Sequence, residues 1–323
     1  MESKLYTFDE VSEFINQGKI LALAGIESLL SELPKGNWIG GTIPYFMGKN
    51  TSLFSKDLIF VNDLSDNEKN FSIKSYDVSN IQNIVGDTYA NGYTIVIFPP
   101  FTEVHKEYAV QIPHNKHLFD NPITGWVAGI DLDSNSIAKT YNGLTGQRYI
   151  DAAVAMHIEL PEEKIAWLDI VNIFEQSDEE VEIKFLQEGF SCETCLVNGV
   201  ETNFAHYLKE REIDTKLPLI SDYSGALINV SIQSIARDKV YFYAPVFADK
   251  TYKFAKSIPD YVKCFNDEIT SHTITPEFAC NCILNYLYGE MEGKYIDNIS
   301  GPITFGEIGY QLLNQTLVLM YIE

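Results

Sequence analysis

The sequence predicts a mixed α/β protein built of two β-rich subdomains flanked by helices. Three observations lead there. The N-terminal region alternates helical and strand-sized apolar segments; the middle is a series of apolar runs cut by turn residues; and an acidic stretch, 175–182, separates it from a second half with its own strands. That stretch sets the expected boundary, with units at 1–180 and 181–323 and a pocket between them.

The elements follow in order. Thr7-Phe8-Asp9-Glu10 has capping-box spacing, so a helix starts there, runs to about Gln17 and stops at Gly18. Residues 19–24 form a short apolar run too brief for a helix and read as a buried strand. Ile26, Leu29, Leu30 and Leu33 share one helical face, and Pro34 ends that helix. Residues 38–43 are a second strand, and the short β-α-β spacing makes the two strands parallel neighbours. Further strands are expected at 57–62, 93–98, 124–130 and 151–160. In the second half, 202–212 reads as an amphipathic helix with Phe204, Tyr207 and Leu208 inward, and 240–245, 251–255 and 317–322 read as strands. Residues 278–288 fit both a helix begun at Thr275-Pro276-Glu277 and a buried strand. No period of 20–50 residues is visible, which argues against repeat architectures.

The charge excludes several function classes. With 23 Lys plus Arg against 45 Asp plus Glu the net charge is −22, and only Arg148, Arg211 and Arg237 are arginines. Such a surface repels phosphate backbones and anionic headgroups, so neither a nucleic acid nor a membrane is an expected partner. No apolar run reaches the length of a membrane-spanning helix, and Lys4, Asp9, Glu10, Glu13 and Lys19 make the N-terminal region too polar for a secretory signal. Five cysteines in 323 residues are no disulfide framework, and a cytoplasmic location is expected.

Candidate chemistry is sparse. Cys192-Glu193-Thr194-Cys195 has the C-x-x-C spacing, but Glu193 opposes a thiolate and no thioredoxin-like context precedes it. Cys280-Asn281-Cys282 is an uncommon spacing for structural zinc. His105, His114, His117, Glu103 and Asp120 read better as a solvated loop than as a metal site, and His157 as a core histidine. Nucleophile-elbow, phosphate-loop, dinucleotide and zinc-protease motifs are absent, and no metal is expected. Two glycine-rich strand ends stand out instead. Gly40, Gly41, Thr42 and Tyr45 close the second strand; Glu307 and Tyr310 sit in the segment 300–310. Glycines there let a ligand approach the backbone while the polar side chains orient it.

These segments carry a family resemblance. Cys280-Asn281-Cys282 followed by Gly306-Glu307-Ile308-Gly309 resembles the C-terminal FIST domain, and Ile39-Gly40-Gly41-Thr42, 126–131 and 152–158 are similar to strands of its N-terminal domain. The arginine that the family places after the cysteine is missing here, and Tyr45 replaces a small or acidic residue. The resemblance implies a sensory, signal-transduction module that binds a small molecule without catalysis and passes its signal to an output partner. It also favours the strand over 278–288. The expected ligand contacts are Gly40, Gly41, Thr42, Tyr45, Cys282, Glu307 and Tyr310, with Glu307 suited to a cationic or amino group. No cofactor is required by this reading. The alternatives are a hydrolase or transferase with Cys282 or Cys280 as nucleophile, and a haem-based gas sensor with His157 or His117 as axial ligand.

Overall fold

The computed structural model describes residues 4–66, 68–223, 226–269 and 274–323. The N-terminal helix is Phe8–Asn16, with the Thr7/Glu10 capping box formed and Gly18 at φ +82° just beyond its end. Strands Leu21–Gly25 and Trp38–Thr42 are parallel neighbours, in register from Leu21 opposite Trp38 to Gly25 opposite Thr42. The helix between them is only one turn, Glu27–Leu30, so Leu33 is buried from the following turn.

The pairing of strands shows a repeat that no short sequence period betrays. In residues 5–63 an edge strand and a helix lead into strand Leu21–Gly25, the helix Glu27–Leu30 and the parallel strand Trp38–Thr42. A hairpin (Tyr45–Met47 and Ser52–Phe54) then departs, and Ile59–Asp63 returns antiparallel beside Leu21–Gly25. Residues 70–159 repeat this order, with Gly92–Phe98 parallel to Ile123–Val127, a hairpin (Thr140–Asn142 and Gln147–Tyr149) and the return strand Ala153–Glu159. Residues 166–322 do so again, with Phe278–Cys282 parallel to Gly301–Thr304, a hairpin (Glu307–Gly309 and Gln311–Leu313) and the return strand Leu317–Ile322.

Each hairpin completes a neighbour's sheet rather than its own. The second unit's hairpin pairs with Trp38–Thr42, the third unit's with Ile123–Val127, and the first unit's with Gly301–Thr304. The exchange is cyclic, giving three six-stranded sheets of one topology. The expectation that repeats are absent is therefore corrected. The units are too long and too unequal for a short-period signature, because the third carries an insertion between its edge strand and its helix. The insertion, 183–254, forms a six-stranded and a three-stranded sheet around its own core of Ile183, Phe185, Phe204, Leu208 and Tyr252. Beyond the insertion, Gly301–Thr304 and Glu307–Gly309 pair with strands of the N-terminal half.

The three sheets face one another across a common core. Ala22, Ala24 and Ile39 of the first sheet meet Ile95, Ile97, Trp126 and Met156 of the second and Phe278, Cys280 and Val318 of the third. The opposite faces of the first two are buried too: Leu21 and Leu23 under Val11 and Ile15, and Val96, Phe98 and Ala155 under Tyr108 and Ile112. Burial on both faces explains why 153–159 alternates poorly as a sequence. At Gly41 the sheets approach so closely that a Cβ would stand 2.5 Å from Ile97 Cγ2.

The ambiguous segment 278–288 satisfies both readings in turn. Strand Phe278–Cys282 runs straight into helix Ile283–Tyr288, and the Glu277 amide donates to the Met320 carbonyl instead of opening a helix. No helix among the described residues is long and apolar enough to cross a membrane.

Candidate functional site

The fold offers three equivalent crevices, each at the C-terminal ends of a parallel strand pair and walled by a neighbouring unit. Such ends are where open α/β sheets hold ligands, because the strands stop and diverging loops leave space. At two of the three, aromatic side chains pack against one another at the strand ends. Beyond Gly92–Phe98 and Ile123–Val127, the His105 ring lies 6.2 Å from Phe98 and 6.1 Å from Phe190 of the insertion, with Phe305 packed against the same core. Beyond Phe278–Cys282 and Gly301–Thr304, Tyr286 packs on Tyr45 at 5.6 Å, and Tyr243, Tyr288 and Phe305 close over the core.

The first crevice is open. A cleft of about 540 Å³ lies beyond Leu21–Gly25 and Trp38–Thr42, with Ile26, Glu27, Ser28, Ser31, Glu32 and Thr42 on one side and residues of the segment 129–137 with Arg148 on the other. Its aliphatic lining is Ile26, Ile43, Pro44, Ile130 and Ile137. Two backbone contacts fix the walls: the Gly129 amide donates to the Thr42 carbonyl at 2.6 Å, and the Lys139 amide donates to Thr42 Oγ1 at 2.9 Å.

Charges of both signs surround this cleft. Lys56 Nζ lies 2.7 Å from Asp131 Oδ2, which holds the Asp131 carboxyl below its ordinary range and the Lys56 ammonium above its own. Lys139 Nζ donates to Glu27 Oε1, and Arg148 Nη1 stands 3.9 Å from the same oxygen while donating to Ser31 Oγ at 3.3 Å. Ser31 Oγ in turn meets the Tyr141 hydroxyl at 3.1 Å. None of the described histidines or cysteines lines the cleft.

The residues singled out from the sequence do not share one hollow. Thr42 lines the open cleft. Gly40 and Gly41 are interior strand positions, with Trp38 over one and Ile97 and Trp126 against the other. Tyr45 is buried, and its hydroxyl accepts from the Leu132 amide at 3.2 Å, bracing the cleft wall from behind. Tyr310, at φ +62°, lines a separate cavity of about 430 Å³ against the insertion, and Phe119 packs on its ring at 5.0 Å.

Glu307 and Cys282 lie inside the core. Glu307 is wholly buried and lines neither of those two cavities; its Oε2 accepts from Thr316 Oγ1 at 2.8 Å. Burial pushes its carboxyl up to about 8, with the Thr316 and Cys282 hydrogen bonds opposing. Its role is legible from the repeat. Glu307 opposes Trp126 as Thr140 opposes Gly41, and Thr140 Oγ1 ties its hairpin to the Ala152 carbonyl just before its return strand. Glu307 ties the third hairpin to Thr316 at the corresponding place. The pocket expected between residues 40 and 307 is thus corrected: the hydrogen bond to Thr316 turns this carboxyl inward.

The alternative chemistries meet specific obstacles. Cys280 and Cys282 are i and i+2 on a strand, face the same core, and have thiols raised well above the ordinary range by burial and by Glu307. Neither is disposed to form a thiolate. Burial likewise pushes the Cys192 and Cys195 thiols up to about 12. His157 uses both ring nitrogens, Nε2 with the Tyr76 hydroxyl and Nδ1 with Thr94 Oγ1, each at 2.7 Å. That leaves it no lone pair for haem iron, and burial lowers it to about 4. His117 is exposed and pairs with Asp120 at 2.8 Å.

The sequence reading missed the cations of the cleft. Lys56 and Arg148, which line it, are far apart in the chain and follow no motif; the scarcity of arginine was the one available signal.

The class defined by this geometry is a three-fold pseudo-repeat of mixed α/β sheets with one open crevice. The chain belongs to the Family of unknown function (DUF6976), whose model matches residues 6–323. No curated protein matches it, and no solved structure does.

Proposed function

We propose that the protein binds a small polar molecule in the cleft between its first and second units and acts as a sensor, without catalysing a reaction. The observation that carries this reading is the asymmetry of the repeat. Three crevices share one topology, two are packed with aromatic rings, and one stays open with charged and hydroxyl groups around it. A cleft of this size suits a metabolite, and its mixture of aliphatic walls and a few polar groups is what ligand sites generally present. The resemblance to FIST domains points the same way.

The wall 129–137 gives the sensor an output. It carries Leu132 and Ile137 exposed at 45% and 61%, so a ligand that reorders this wall alters an apolar surface open to a protein partner. Five cysteines without a disulfide fit a reducing, cytoplasmic setting.

Native mass spectrometry of protein purified from its own host tests the reading. A retained small molecule is expected, and Ser134→Trp, which fills the cleft from its wall, releases it. Retention of the same mass by Ser134→Trp at full occupancy refutes this location.

A further inference from the structure

We propose that the protein has a second small-molecule site, for an uncharged planar aromatic compound, in the cavity of about 430 Å³ where the insertion meets the repeat. This goes beyond the reading of the open cleft and does not depend on it. The walls come from three parts of the chain: Leu118 and Phe119 of the second unit, Tyr310 at the turn of the third hairpin, and Tyr223, Ile228 and Phe247 of the insertion. A concave, largely apolar space between two packed bodies is where ligand sites commonly form.

Ring chemistry sets the ligand class. Five of the lining residues carry rings, and four of them already form a tilted and an edge-on pair: Phe119 with Tyr310 at 5.0 Å and 57°, and His114 with Phe247 at 5.8 Å and 83°. A flat guest extends such pairs by offering its face or edge, which a saturated ring of the same size cannot do. The acid and the amine at the cavity are paired with each other. Lys250 Nζ lies 3.2 Å from Asp249 Oδ2 and stands 4.7 Å over the Tyr223 ring. With these charges opposed, neither sign of ligand is favoured, and an ion would exchange water for ring surface.

Two rings stand where the fold itself does not require them. Tyr310, at φ +62°, is the turn residue between Gly309 and Gln311, a left-handed position that glycine or asparagine ordinarily takes. The turn is held through its main chain. The Tyr310 amide donates to the Ile123 carbonyl at 2.7 Å, and its carbonyl accepts from the Tyr108 hydroxyl at 2.6 Å; glycine would make both bonds equally. The Tyr310 ring is therefore not needed by the turn and serves the cavity. Phe119 is 71% exposed while lining the same space, so a guest seated there covers apolar surface that the chain leaves in water.

Calorimetric titration of the full chain with 2-naphthol, decahydro-2-naphthol and 2-naphthoate tests this. The aromatic alcohol is expected to bind at a single site, about three- to tenfold more tightly than its saturated counterpart and than the naphthoate anion. Phe119→Leu and Tyr310→Gly are each expected to weaken 2-naphthol at least about threefold. The first changes an exposed side chain and the second suits the turn, and an unchanged circular dichroism spectrum verifies that both fold. Ser134→Trp should leave 2-naphthol binding intact, and Phe119→Leu should leave the mass retained in the open cleft intact, so the two sites fail separately. The assignment is overturned by equal binding of 2-naphthol and either comparison compound, by full 2-naphthol affinity in either variant of this cavity, by its loss in Ser134→Trp, or by no binding at all.

Discussion

Replacing Glu307 by Gln tests whether this carboxyl is a neutral structural group. Its pKa stands at about 8 in the folded protein against an ordinary 4.5, because the charged form has no water around it. Between those values the native state holds a proton that the unfolded chain has released. Stability from this group is therefore full below about pH 4.5 and declines as pH rises to 8, at up to about 1.4 kcal/mol per pH unit. The whole window amounts to roughly 4–5 kcal/mol, of which about 3 is already lost at pH 7. Gln cannot ionise, yet it keeps a partner for Thr316 Oγ1. Urea unfolding of the native protein and of Glu307→Gln at pH 5.5, 7 and 8.5 isolates the term, since every other titrating group cancels in the difference. The variant should gain on the native protein by a few kcal/mol between the extremes. Parallel curves would mean that Glu307 is ionised in the fold, and the structural assignment would fail.

The other predictions concern the core and the two alternative chemistries. Gly41→Ala should cost about 1–3 kcal/mol, read as a lower midpoint in thermal or urea unfolding, because its methyl group would collide with Ile97 between two close sheets. With iodoacetamide at neutral pH, Cys264 should label first and Cys280 and Cys282 only on unfolding; rapid labelling of native Cys282 would revive a cysteine nucleophile. Haem added to the purified protein should give no Soret band attributable to His157, since both ring nitrogens are engaged. His157→Phe should destabilise by about 2 kcal/mol by leaving Thr94 and Tyr76 short of a partner.

The elements themselves were largely written in local sequence. The Thr7/Glu10 box, the parallel pair at 21–25 and 38–42 and the closing strand 317–322 depend on capping, spacing and apolar runs, which act within a few residues. The composition likewise marked an acidic chain poor in arginine. The tertiary structure alone decided how the units close on one another. A hairpin such as that of Glu307–Gly309 and Gln311–Leu313 looks the same in sequence whether it completes its own sheet or a neighbour's, because backbone hydrogen bonds carry no side-chain signature. The same holds for the site. Glycines and a glutamate near strand ends fit an interior as well as a pocket, and only packing shows that Gly41 and Glu307 are enclosed while Thr42 borders open space. Glu27 meets Lys139 and lies near Arg148 because hairpin exchange carries the second unit's residues to the first unit's strand ends, a long-range contact that no local spacing records.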